Sequence, residues 1–200
     1  MLSRLFGIDP QKRFWKWFEE NANSLATIRS GNDPILQKLD RELRKVHPNL
    51  NFEMGLSEND QLEFIVSANG IKSVFPIVEQ LVACAPTIPN WKIIAFRQPK
   101  GKGAVPEILY QNFLLRAEDV WFSYKQRMDK VVDLIIYIRD LSPNNQEQAI
   151  GASLIHLDNE LGEYLATTGI GFFDFKPLPD NPAARGLQPL SEINTIVVKS

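Results

Sequence analysis

His156, Asp158, Glu160 and Glu163 crowd the end of a helix predicted over residues 143–162. Imidazole nitrogen and carboxylate oxygen are ordinary ligands for a divalent cation, and the same groups can position a water for hydrolysis. The placement runs against the helix dipole, whose negative end mildly disfavours carboxylates. His156 and Glu160 stand one turn apart, on nearly the opposite side from an apolar stripe of Ile150, Leu154, Leu157 and Leu161, and Gly162 is the expected cap. Two readings fit this spacing. One is a solvated polar face with a His–Glu pair; the other is a cation site serving a hydrolase or another small-molecule enzyme.

Lys100-Gly101-Lys102-Gly103 invites a comparison with phosphate loops, because glycine lets backbone N–H groups approach an anion. A nucleotide loop continues from Gly-Lys into Ser or Thr and a helix, whereas Gly103 is followed by Ala104, so the segment reads as a solvated loop. Ser67 is followed by Ala68-Asn69-Gly70 and makes no nucleophile elbow. Paired-cysteine zinc spacing, His-Glu-x-x-His and a glycine-rich dinucleotide fingerprint do not occur. The single cysteine, Cys84, follows Leu81, Val82 and Ala83 and reads as a small buried hydrophobe rather than a catalytic thiol.

Trp15, Trp91 and Trp121 are the candidate contact residues, since tryptophan joins a large apolar area to one hydrogen-bond donor. Each of the three can equally be a core residue; Trp15 lies about a quarter-turn off the stripe of Phe14, Trp17, Phe18, Leu25 and Ile28, so it either joins the core or sits at the edge of a surface groove or partner contact, while Trp17 packs inward. Arg97 follows the strand expected over 91–96 and should emerge at its end. A guanidinium there suits bidentate pairing, either with an intramolecular partner that pins the next loop or with an anionic ligand.

These residues need elements to position them, and the chain is long enough to supply a core. Two hundred residues with 44% hydrophobic and 23% charged content match a globular protein, expected here as a single domain over 1–200. A net charge of -2 removes the uniform positive field of a dedicated nucleic-acid binder, and Lys38, Arg41, Arg44 and Lys45 are interleaved with Asp40 and Glu42. No nucleic-acid partner is expected. With one cysteine no intrachain disulfide can form; Asp9 and Pro10 interrupt any secretory core after Met1–Gly7, and no apolar run approaches twenty residues. A cytoplasmic location without a membrane partner follows as the expectation.

Asp9-Pro10 and Asp33-Pro34 each combine a capping carboxylate with a proline in the first turn, which predicts two N-terminal helices within residues 1–47. Strands over 51–54 and 62–66, a helix near 73–84 and a strand over 91–96 form a β-β-α-β unit in 48–98. A weakly helical stretch at 107–113, strands near 120–124 and 131–138, the helix opened by Ser142-Pro143 and a strand near 168–173 repeat that order in 107–175. Residues 176–200 read as an irregular tail closing on a helix or strand at 190–198. The fold class is therefore α+β: two N-terminal helices, then a largely antiparallel sheet from two β-β-α-β-like units with helices packed on it.

The chain resembles an uncharacterised family of small bacterial proteins of unknown function. The resemblance is carried by Phe14-Trp15-Lys16-Trp17-Phe18 with Asn21, Ile65-Val66-Ser67-Ala68-Asn69-Gly70, Ala85-Pro86 with Asn90-Trp91, Ala95-Phe96-Arg97, and Leu157-Asp158-Asn159-Glu160-Leu161-Gly162-Glu163. It implies an α+β domain in the bacterial cytoplasm and brings no activity, cofactor or catalytic residue. The residues lead to a non-enzymatic binding or protein-interaction module, a monomer or weak dimer whose partner is a protein or a small ligand; the alternative is the cation-dependent enzyme at the acidic cluster.

Overall fold

Asp9 and Asp33 start the two N-terminal helices as their spacing predicts. The Asp9 carboxylate accepts the Gln11 N–H at 3.0 Å to open α1 (Pro10–Ala26), and Asp33 accepts from Ile35 at 3.0 Å to open α2 (Pro34–Val46). The computed structural model describes residues 9–57 and 59–197, so the reading of Met1–Gly7 lies outside the described residues. The chain is α+β and groups into two compact units, Met1–Arg97 and Gln98–Ser200.

In the first unit β1 (Asn51–Leu56) pairs antiparallel with β2 (Leu62–Ser67), and α3 (Phe75–Ala83) carries the chain to β3 (Trp91–Ala95), which pairs parallel with β2. The core is aromatic. Phe18 meets Phe64 at 4.7 Å and Trp91 at 5.1 Å between ring centroids, and Phe14 meets Trp15 edge-on at 4.9 Å. The buried stripe of α1 is Phe14, Trp15, Phe18, Ala22 and Leu25, which corrects the expected orientation: Trp15 is inside and Trp17 is only partly buried. Residues 14, 15, 18, 22 and 25 share one face at helical spacing, and counting Ala22 into the stripe moves its centre from Trp17 toward Trp15. Cys84 is also corrected. It is exposed at the C-cap of α3, with Sγ 3.2 Å from the Leu81 carbonyl.

The second unit repeats the connectivity. β6 (Val120–Gln126) pairs antiparallel with β7 (Val132–Ile138), and α4 (Gln146–Thr168) returns the chain to β8 (Ile170–Pro177), parallel to β7. Two residues of the tail, β9 (Gln188–Pro189), add to the free edge of β6, giving the order β8-β7-β6-β9. Leu190, Ile193 and Val197, the last in α5 (Asn194–Val197), insert into the core. The stretch at 107–113 is not helical. It forms a separate hairpin of β4 (Glu107–Tyr110) and β5 (Phe113–Arg116), because Gln111 and Asn112 both take left-handed φ, 45° and 66°, as a two-residue hairpin turn requires.

Helix α4 departs most from expectation. It packs against β7 and β8 and also against the β4–β5 hairpin, so it is covered on two sides. Its buried residues include Ala149, Ala152, Ser153, His156, Leu157, Glu160 and Leu161, while Leu154 is 39% exposed. A close approach to the helix falls at Gly151, where the Tyr110 ring of the hairpin leaves no room for a side chain. Gly162 does interrupt the helix, with φ 73° and ψ 158°, a region open essentially to glycine alone, but helical turns resume and run to Thr168. Leu157→Ala and Leu161→Ala should each destabilise the protein by about 2–5 kcal/mol, whereas Leu154→Ala should stay within about 0.5 kcal/mol. Urea unfolding of the three variants reads this directly; equal losses at all three would contradict the register of α4.

Candidate functional site

Two-sided cover draws His156 and Glu160 inside. Both side chains are essentially inaccessible to solvent, at 0% and 1% exposure. Among the described residues, neither imidazole nitrogen of His156 has a hydrogen-bond partner, and of the Glu160 oxygens only Oε1 has one, Oε2 being buried without any. Its other oxygen, Oε1, accepts the backbone N–H of Gly103 at 3.0 Å. Lys100 donates its N–H to the Asn159 carbonyl at 2.8 Å, and Lys102 pairs with Glu192 at 2.6 Å. The lysine-glycine segment is thus exposed but tethered. It offers an N–H to an anion as its glycines allow, and that anion is the protein's own Glu160.

Burial sets the ionisation of the pair. It pushes the His156 pKa from 6.5 down to about 4, so the ring is neutral at pH 7. Glu160 is pushed up by burial, with the Gly103 hydrogen bond and Lys102 pulling it back and Glu192 adding to the rise. The solvated polar face expected for His156 and Glu160 is corrected accordingly. Asp158 is partly exposed on the same helix and Glu163 is buried beyond the Gly162 break. Among the described residues no three His, Cys, Asp or Glu side chains are grouped as metal ligands, so these four do not form a common coordination sphere.

Trp15 and Trp91, at 3% and 7% exposure, belong to the first unit's core, and Trp15 Nε1 donates to the Leu81 carbonyl at 2.8 Å. Neither reaches a groove. Arg97 lies just past β3 and has intramolecular partners: Nη1 donates to Ser67 Oγ at 2.7 Å and to Asn69 Oδ1 at 3.1 Å, and Nε lies 3.7 Å from Glu53.

Trp121 stands on the outer face of the second unit's sheet. Alternation along β7 buries Val132, Leu134, Ile136 and Ile138 toward α4 and leaves Asp133, Ile135 and Tyr137 on the other side. Register then aligns one residue from each strand, Pro189, Trp121, Tyr137 and Lys176, in a row across that outer face. Trp121 Nε1 is held by the Glu118 carbonyl at 2.9 Å, and Phe172, on the same face, is 59% exposed. At the Lys176 end, Tyr137, Lys176, Pro177, Pro179, Arg185 and Leu187 line an open cleft of about 360 Å3. Tyr137, Lys176 and Arg185 were not singled out from sequence. The period-two pattern of 132–138 does assign Tyr137 to the outer face, but its alignment with Trp121 and Lys176 is a property of strand register.

Two predictions follow from this geometry. Between pH 6.5 and 4 the unfolded chain binds a proton at His156 that the folded protein does not, so stability falls as the pH is lowered through that window, by up to about 1.4 kcal/mol per unit. Glu160, with its raised pKa, works in the opposite direction and favours the fold toward low pH. His156→Leu removes the first effect and the unpartnered nitrogens with it, so the variant should gain on the wild type as the pH falls from 7 to 4.5 in urea unfolding. Parallel pH curves would show that His156 is not buried neutral. Arg97→Lys keeps the charge and loses the planar group whose Nη1 donates to Ser67 and Asn69 while Nε faces Glu53, and should cost about 1–2 kcal/mol in thermal unfolding without any ligand.

In comparisons with known proteins, no family model, no curated protein and no solved structure matches the chain, so the resemblance to a bacterial family rests on the sequence segments alone.

Proposed function

We propose that the chain is a non-enzymatic binding module whose contact surface is the outer face of the second unit's sheet. The observation that carries this reading is the row Pro189–Trp121–Tyr137–Lys176 on the side turned away from α4. The outer side of an antiparallel pair is ordinarily polar, yet here two large aromatic residues are direct cross-strand neighbours, with Ile135 and Phe172 on the same face. Tryptophan and tyrosine are the residues most enriched at contact hot spots, and clustered surface apolar groups mark interaction sites. The partner is a protein or a small ligand that uses this face. A cation-dependent enzyme at the end of α4 keeps one supporting observation, the unpartnered atoms of His156 and Glu160, but both groups lie beneath covering structure and Asp158 does not join them.

The double substitution Trp121→Thr with Tyr137→Thr keeps strand-compatible side chains while removing both rings. A pull-down from native lysate and a ligand-observed NMR screen, run on wild type and on this variant, should show a retained set that the variant loses while its circular dichroism stays native. Leu109→Ser, on the exposed side of the β4–β5 hairpin, serves as control and should keep that set. A folded double variant that retains the full wild-type set would overturn the reading.

A further inference from the structure

We propose that the Lys176 end of this row binds a ligand combining a flat apolar body with one anionic group, a carboxylate or a phosphate; the proposal rests on the outer face being the contact surface. Charge supplies the first argument. Arg185, on the 3-10 turn Pro182–Arg185, is exposed and has no hydrogen bond or ion pair among the described residues. Among the described residues Lys176 forms one ion pair, with Asp174 at 3.4 Å, in which both side chains are more than 40% exposed, and so open a contact is readily exchanged for a better one. The cleft therefore presents an uncompensated guanidinium beside a weakly held ammonium, the combination suited to a carboxylate or phosphate.

Dimensions supply the second argument. Tyr137 separates Trp121 from Lys176, and two strand spacings of about 4.8 Å put the cationic end roughly 10 Å from the tryptophan strand. An inorganic anion occupies only that end, whereas a body one or two rings wide reaches from Lys176 across Tyr137 toward Trp121. A cleft of about 360 Å3 agrees with this size, since small-molecule sites begin near 300 Å3. Its other walls, Pro177, Pro179 and Leu187, offer apolar side chains to the ligand body.

The test is a two-dimensional NMR titration of the full chain with naphthalene-2-carboxylate, 2-naphthyl phosphate, the neutral naphthalene-2-carboxamide and inorganic phosphate. Both naphthyl anions should shift amides of β7, β8 and the 182–185 turn saturably, about tenfold or more tighter than the carboxamide or inorganic phosphate. The tighter of the two identifies the preferred anionic group. Arg185→Gln, a change at an exposed side chain, should weaken the naphthyl anions about tenfold and leave the carboxamide within twofold. Trp121→Thr with Tyr137→Thr should weaken anions and carboxamide alike. If carboxylate and carboxamide bind equally, or Arg185→Gln changes neither, while the aromatic variant still weakens both, the anion assignment falls and the contact surface stands. If no naphthyl compound shifts these amides, the proposal is overturned; failure of the contact-surface reading itself is read separately, in a folded aromatic variant that keeps its wild-type partners.

Discussion

Parallel pairing of the last strand with its predecessor is the constraint on which each unit depends. Antiparallel strands can be joined by a tight turn, but a parallel partner must be reached by a crossover long enough to return the chain to its starting end. In the first unit α3 makes that return between β2 and β3; in the second, α4 makes it between β7 and β8. The crossover helix must bury one side against its sheet. What distinguishes the second unit is that β4 and β5 cover another side of α4, so the helix that closes the topology also becomes central to the core.

That central position accounts for the burial of polar groups at the end of α4. Sheet and hairpin together bury Ala149, Ala152, Leu157 and Leu161, and the same cover takes His156 and Glu160 out of water. A buried carboxylate needs donors, and the exposed lysine-glycine loop supplies one through Gly103. Near the break at Gly162, the Asn159 carbonyl accepts the Lys100 N–H. Loop and helix thus satisfy each other. The orphaned nitrogens of His156 are the part of this arrangement left with a cost, and burial resolves it by keeping the ring uncharged.

The elements were legible in the sequence wherever a local signal sufficed. Asp-Pro starts, the period-two run at 132–138 and the repeated order of strands and helix all have short-range physical causes, and the two N-terminal helices and both β-β-α-β units follow from them. Residues 107–113 were misread as helical because the hairpin turn there uses Gln111 and Asn112 in place of the Asn-Gly pair that advertises such turns. The orientation of α4 was misread because large apolar residues were taken to mark a single covered side. Two covered sides instead select small residues at close approaches and leave Leu154 outside, information that resides in the packing of distant segments. Trp121 was legible as a contact residue from its type; Tyr137, Lys176 and Arg185 were not, since nothing local announces a cross-strand row.

The outer faces of the two sheets differ in the residues that their strands turn outward. On the first, Glu63 and Lys92 are cross-strand neighbours joined at 3.1 Å, and Arg97 is drawn onto Glu53, Ser67 and Asn69, so its charges are matched within the unit. On the second, Asp133 lies 3.6 Å from Arg127 at one end of the sheet, but the row through Trp121 and Tyr137 ends on Lys176 beside an unmatched Arg185. Aromatic area that water wets poorly and a cation without an internal partner both lower their free energy by meeting something else. The same β-β-α-β connectivity therefore carries two outer faces of different composition, and the difference lies in the residues on a few outward strand positions.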